Sequence, residues 1–100
     1  MNGFSRISVA QAHSIIEQED PVIVDLRDPR SYGTAHIEGA VHLNNDSVSL
    51  FLEQTGRERT VIVYCYHGNS SIGAGQFLAE QGFTRVLSMD GGYEAWRQQG

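Results

Sequence analysis

The sequence predicts an α/β domain built on an open, mostly parallel sheet with helices on both faces. Short β-branched runs alternate with segments of helical period, and the connections between them are too short for anything but βα units. The first such run, Val22-Ile23-Val24, is apolar throughout, as suits a strand covered on both faces. One hundred residues are enough for one core and too few for two that each bury enough apolar surface to stand alone, so residues 1–100 read as a single domain.

Taken in order, Ser8 and Gln11 form a capping box, and Val9, Ala12 and Ile16 recur at helical spacing until Asp20-Pro21 ends the segment, giving a helix from about Ser8 to Glu19. The run Val22-Ile23-Val24 follows and closes on Asp25. Asp28-Pro29 then starts a helical turn, with Asp as N-cap and Pro at the first helical position. Val41-His42-Leu43 is a weak strand. Val48, Phe51, Leu52 and Thr55 mark a helix face, with Asn44 or Asn45 as its expected cap and Gly56 as its stop. Thr60 to Tyr64 is the most strand-like run in the chain. Ser71, Ala74, Gly75 and Leu78 give the next helix its inward face, which ends at Gly82. Arg85 to Ser88 is a last strand, and Tyr93 and Trp96 share one side of a closing helix whose cap would fall near Gly100.

Composition excludes several kinds of function. The formal charge of −5, from 12 acidic against 7 basic residues, works against binding phosphodiester backbones or anionic lipid surfaces, so neither nucleic acid nor a membrane is expected as a partner. All seven basic residues are arginine. The lack of lysine removes Schiff-base chemistry and a phosphate-binding loop ending in Gly-Lys. A single cysteine precludes an internal disulfide and a multi-thiolate zinc site, and no cluster of His and carboxylates has metal spacing, so neither metal nor cofactor is expected. The longest apolar run, Val61 to Tyr66, is far below membrane-spanning length and no signal-like segment opens the chain, which makes cytoplasm the default expectation.

The chemistry concentrates at Cys65. The segment Cys65-Tyr66-His67-Gly68-Asn69-Ser70-Ser71 places a thiol at a strand end, a loop of small and polar residues after it, and a helix N-terminus near Ser70 beyond. Successive backbone N–H groups of such a loop, together with those of the helix's first turn, form a nest that favours negative charge. A thiolate there gains the same stabilisation, so its pKa is expected below the ~8.5 of a free cysteine. Gly68 and Asn69 both tolerate the positive φ that an inward-folded loop needs. A cysteine at a strand end is otherwise a small buried hydrophobe, but such a residue needs neither Gly, Asn and two Ser after it nor a helix aimed at it.

This loop and three other segments resemble the single-domain rhodaneses. Asp25-Leu26-Arg27 is similar to the family's Asp-x-Arg, Ala35-His36-Ile37-Glu38-Gly39-Ala40 to its Gly-His-Ile-x-Gly-Ala, and Asp90-Gly91-Gly92-Tyr93-Glu94-Ala95-Trp96 to its closing Gly-Gly-x-x-x-Trp. The cysteine loop resembles in particular that of the bacterial thiosulfate sulfurtransferases associated with glycerol metabolism. The resemblance implies a sheet of about five strands and a double displacement. Cys65 would take the outer sulfur of thiosulfate as a persulfide, release sulfite, and pass the sulfur to cyanide or a thiol, with thioredoxin or another dithiol protein a sensible acceptor. Cys65 would be catalytic, and Tyr66, His67, Gly68, Asn69, Ser70 and Ser71 would bind substrate. Many family members carry cationic residues in this loop; here none has a permanent charge.

The remaining candidates have plainer readings. His67 reads as a shape element of the pocket wall more than as an imidazolium, His36 and His42 as structural, Asp25 and Arg27 as a structural ion pair, and Tyr93 and Trp96 as core. A cysteine-based phosphatase would use a similar thiolate, but it needs an Arg six residues after the cysteine, where this chain has Ser71 and no Arg until Arg85. A non-enzymatic binding module is the other rival, and it would not need the nucleophile present here.

Overall fold

The most apolar run in the chain forms the centre of the sheet. In the computed structural model, which describes residues 3–99, strand Thr60–Tyr64 has Val61, Ile62, Val63 and Tyr64 wholly buried, and neighbours pair with it on both sides. In chain order the elements are β1 (Phe4–Ile7), α1 (Val9–Glu19), β2 (Val22–Asp25), α2 (Pro29–Thr34), β3 (Val41–His42), α3 (Val48–Gln54), β4 (Thr60–Tyr64), α4 (Ser70–Glu80), β5 (Arg85–Met89) and α5 (Gly92–Gln99). The sheet runs β1-β5-β4-β2-β3 with all four neighbouring pairs parallel, so the carboxyl ends of its strands gather on one side.

Side chains alternate along each strand, and the two faces carry different cores. Ile23, Ile62, Tyr64, Leu87 and Met89 pack with Val9, Ala12, Ile15 and Ile16 of α1 and with Tyr93, Ala95 and Trp96 of α5. On the other face Val24, Val61, Val63 and Val86 meet Leu78 and Ala74 of α4 and Phe51 and Leu52 of α3. Trp96 stacks on His13 with ring centroids 4.1 Å apart, which ties α5 to α1.

The expected caps of the first two helices form. Ser8 accepts from the Gln11 amide while the Gln11 side chain accepts from the Ser8 amide, and Asp28 accepts from the Ser31 amide ahead of Pro29. One local expectation needs correction, and one strand carries no sequence signal. The N-cap position of α3 is Ser47, not Asn44 or Asn45: the Asn44 side chain instead turns the chain by accepting from the Asp46 and Ser47 amides. β1 has no strand signal of its own, because Phe4-Ser5-Arg6-Ile7 is too short and too polar to mark one. It lies on the edge beside β5, and Phe4 packs so closely on α4 that a Cβ at Gly75 would stand 2.5 Å from its ring. Gly100, where the cap of α5 was expected, lies outside the described residues.

Candidate active site

Cys65 is the first residue after β4, at the carboxyl end of the central strand, and only 6 % of its surface is exposed. Its sulfur accepts a hydrogen bond from the Gly68 amide at 3.2 Å. That contact requires the loop to turn back on itself, which Gly68 allows at φ +92°, and a Cβ there would fall 2.8 Å from the Gly91 nitrogen. Asn69 shares none of this strain: its φ is −87°, so only one of the two residues expected to take a positive φ does so.

Burial pushes the Cys65 thiol up, but the amide and hydroxyl of Ser71 and the amides of Gly68 and His67 together outweigh it, and the pKa lies below its ordinary value. Ser71 is in the first turn of α4 and wholly buried. Its hydroxyl also lies 2.7 Å from that of Ser88 on β5, itself wholly buried.

The loop is held from below by α5. The Tyr93 amide donates to the Cys65 carbonyl at 2.8 Å and the Glu94 amide to the Tyr66 carbonyl at 3.1 Å. Gly92, at φ +60°, makes this approach possible, since a Cβ on it would stand 2.5 Å from the Cys65 carbonyl oxygen. Gly91, Gly92 and the two amides after them support the cysteine loop, a part that the sequence motif does not by itself assign to them. Two successive glycines at a helix start were the available signal, because such a pair marks a close backbone approach.

Cys65, Tyr66, His67, Asn69 and Ser70 line an open depression of about 150 Å³. Of the seven site residues expected from sequence, these five share its wall, while Gly68 and Ser71 are buried, Gly68 with its amide on the sulfur. Two larger apolar grooves, of about 340 and 300 Å³, are lined by other residues and do not include the thiol. Tyr66 closes one side of the depression: its hydroxyl lies 2.9 Å from that of Ser31, which in turn bonds Asp28 at the start of α2.

Asp25 and Arg27 stand at the end of the neighbouring strand as a buried ion pair. The Asp25 carboxylate accepts from the Arg27 guanidinium at 2.8 Å, from the Arg27 amide and from the Tyr64 hydroxyl, while the guanidinium also donates to the Ala35 carbonyl and lies 4.1 Å over the Tyr93 ring. Burial, with the bond to Asp25, pushes the Tyr64 phenol far up, so it stays a neutral donor. The His42 Nε2–H donates to the Arg27 carbonyl, and His36 stacks on Tyr32 with ring centroids 4.0 Å apart. Among the described residues, no three His, Cys, Asp or Glu side chains come together as a metal site, and no helix is long and apolar enough to cross a membrane.

Fold and site together define a parallel α/β domain that presents a cysteine at the end of its central strand, with an amide of the following loop donating to the sulfur. The chain belongs to the rhodanese-like domain family, whose model matches residues 8–99. It is similar to the rhodanese-like domain of an Anabaena sp. protein (27% identity, TM-score 0.84, all of this chain and 76% of that one). It is also similar to a Rhodopseudomonas palustris protein of unknown function described as a possible tyrosine phosphatase (25% identity, TM-score 0.82, 97% and 82% covered). A rhodanese-related protein from Thermoplasma volcanium shares the fold at 23% identity and TM-score 0.81, with 95% and 92% covered.

Proposed function

We propose that this protein is a thiosulfate sulfurtransferase working by double displacement. The Cys65 thiolate attacks the outer sulfur of thiosulfate, the S–S bond of thiosulfate breaks, and sulfite leaves with the bonding pair. The enzyme keeps a persulfide anion. Cyanide or an acceptor thiolate then attacks the terminal sulfur, forming thiocyanate or a new persulfide and returning Cys65 as thiolate. Charge balances in both steps, so no general acid or base is needed.

The observation that supports this reading most is the loop amide on the sulfur, donated by Gly68 at 3.2 Å, with the thiol's pKa held below its ordinary value by neutral neighbours against the effect of burial. Such donors stabilise a thiolate and a persulfide anion alike. A phosphatase would need a guanidinium to clamp three phosphoryl oxygens, and Ser71 occupies the position six residues after the cysteine. Substrate would meet Tyr66, His67, Asn69 and Ser70 in the depression, with Gly68 and Ser71 holding the sulfur. A cytoplasmic dithiol protein such as thioredoxin is the acceptor the chemistry suits.

Cys65→Ser is expected to abolish sulfite release from thiosulfate while leaving the fold intact, and wild-type protein treated with thiosulfate should gain about 32 Da, one sulfur atom, on Cys65. Sulfite release that survives the substitution overturns the assignment. With no permanent cation in the loop, KM for thiosulfate is expected at or above ~1 mM.

A further inference from the structure

Tyr66 lines the thiol depression and is held at two points although 44 % of its surface is exposed. Its ring lies beside the Arg27 guanidinium, 5.9 Å from the ring centroid, and that guanidinium is itself fixed by Asp25. Its hydroxyl lies 2.9 Å from that of Ser31. Counting protons gives this bond a direction. The Ser31 hydroxyl donates its single proton to the Asp28 carboxylate at 2.8 Å, and the Ser31 amide donates to the other carboxylate oxygen at 3.0 Å. Tyr66 is therefore the donor to Ser31, in a chain that ends on the carboxylate capping α2. The Ser31 amide and hydroxyl hold Asp28 below its ordinary pKa, so that end stays ionised at neutral pH.

The depression measures about 150 Å³, half of the ~300 Å³ at which pockets begin to hold a drug-sized ligand. A small anion such as thiosulfate or cyanide fits it, whereas a thiol carried on a peptide brings its backbone against the walls. We propose that Ser31 is a positioning residue that selects sulfur acceptors by size: by accepting from the Tyr66 hydroxyl it keeps the wall beside Cys65 in place, which favours small anions over bulky thiols. An unheld exposed side chain changes rotamer within nanoseconds, so the contacts at the tip and face of Tyr66 set how often that wall stands. The inference rests on the proposed function for its substrates. Its geometry stands on the three bonds that join Tyr66, Ser31 and Asp28.

Access to the thiol can be read without sulfur transfer. Cys65 is the sole cysteine, so its alkylation rates by N-pyrenylmaleimide and N-ethylmaleimide, which share a reactive group and differ in size, give a bulky-to-small ratio. Taking the ratio cancels any change in thiolate fraction. Ser31→Ala and Tyr66→Phe each remove the same bond, and each is expected to raise the ratio roughly two- to fivefold. Combining them should raise it no further. Ser31→Thr keeps the hydroxyl and should stay near the wild-type ratio, while Tyr66→Ala removes the wall and should exceed every other variant. Tyr66→Phe leaves the Asp28 cap untouched and reads the bond even if Ser31→Ala loosens α2. In turnover, transfer to glutathione relative to cyanide should rise by the same factor. An unmoved alkylation ratio in Tyr66→Phe, additive shifts in the double variant, or a higher ratio without the matching change in acceptor preference overturns the proposal. Raised alkylation ratios in a protein that releases no sulfite from thiosulfate would leave the Tyr66 wall standing and remove the sulfurtransferase reading instead.

Discussion

Two polar clusters stand at the carboxyl ends of neighbouring strands, Asp25 with Arg27 after β2 and Cys65 with its loop after β4, and they handle charge in opposite ways. The carboxylate of the first is met by a guanidinium, a phenol and an amide, and the guanidinium by a carboxylate, a carbonyl and an aromatic face. Each partner of that pair is committed to another fixed group. The sulfur of the second is met by the Gly68 amide, a neutral donor, beside a depression open to solvent. A charge balanced by a fixed counter-charge is structural. A charge balanced by neutral donors can change hands, because the donors serve whichever anion occupies the place.

The largest test of this contrast removes one half of the fixed pair. Asp25→Ala leaves Arg27 buried without its carboxylate and is expected to destabilise the fold by about 3–5 kcal/mol, read as a lower urea midpoint. A loss under about 1 kcal/mol, as for a surface pair, would show that the cluster is not the rigid partner of the comparison.

A smaller effect is expected where the two regions share α5. Gly92→Ala puts a methyl group 2.5 Å from the Cys65 carbonyl oxygen at a positive φ, so either the loop or the helix start must shift. Stability should fall by about 1–3 kcal/mol. The initial rate of sulfite release should fall roughly tenfold through misplacement of the thiol. Unchanged activity alongside lower stability would mean that the loop keeps its geometry without the seat α5 provides.

The mildest test follows the thiol's titration. The folded-state pKa of Cys65 lies below its ordinary value, so between the two the folded protein binds fewer protons than the unfolded chain. The thiolate's contribution to stability is therefore present above the unfolded-state pKa, ~8.5, and is lost as pH falls through the folded-state value. The difference in unfolding free energy between the wild type and Cys65→Ser should rise with pH across that window and level off above it. A difference that is flat or falls with pH would place the thiol on the side of burial, not of its donors.

Much of the fold was legible because its signals are local. The Ser8 and Asp28 caps, the apolar run of β4 and the glycine at the end of α4 each act through neighbours a few residues away. The weak points were equally physical. β1 takes its stability from pairing with β5 and from Phe4 against Gly75, contacts about 70 or more residues distant in sequence, so its four residues carry little signal of their own. Ser47 stands at the N-cap of α3 because Asn44 was already engaged in turning the chain.

At the site the same division holds. Sequence by itself determined that one thiol follows the most strand-like run, that small and polar residues come after it, and that a helix begins there with Ser71, not an arginine, six residues after the cysteine. Tertiary structure decided which donors meet the sulfur and what holds them. The Ser71–Ser88 contact joins a helix to a strand 17 residues away, and the α5 amides reach the loop from Tyr93 and Glu94. Periodicity and turn chemistry record what a residue does to its own segment. Hydrogen bonds between segments depend on how the sheet stacks them, and no local pattern encodes that.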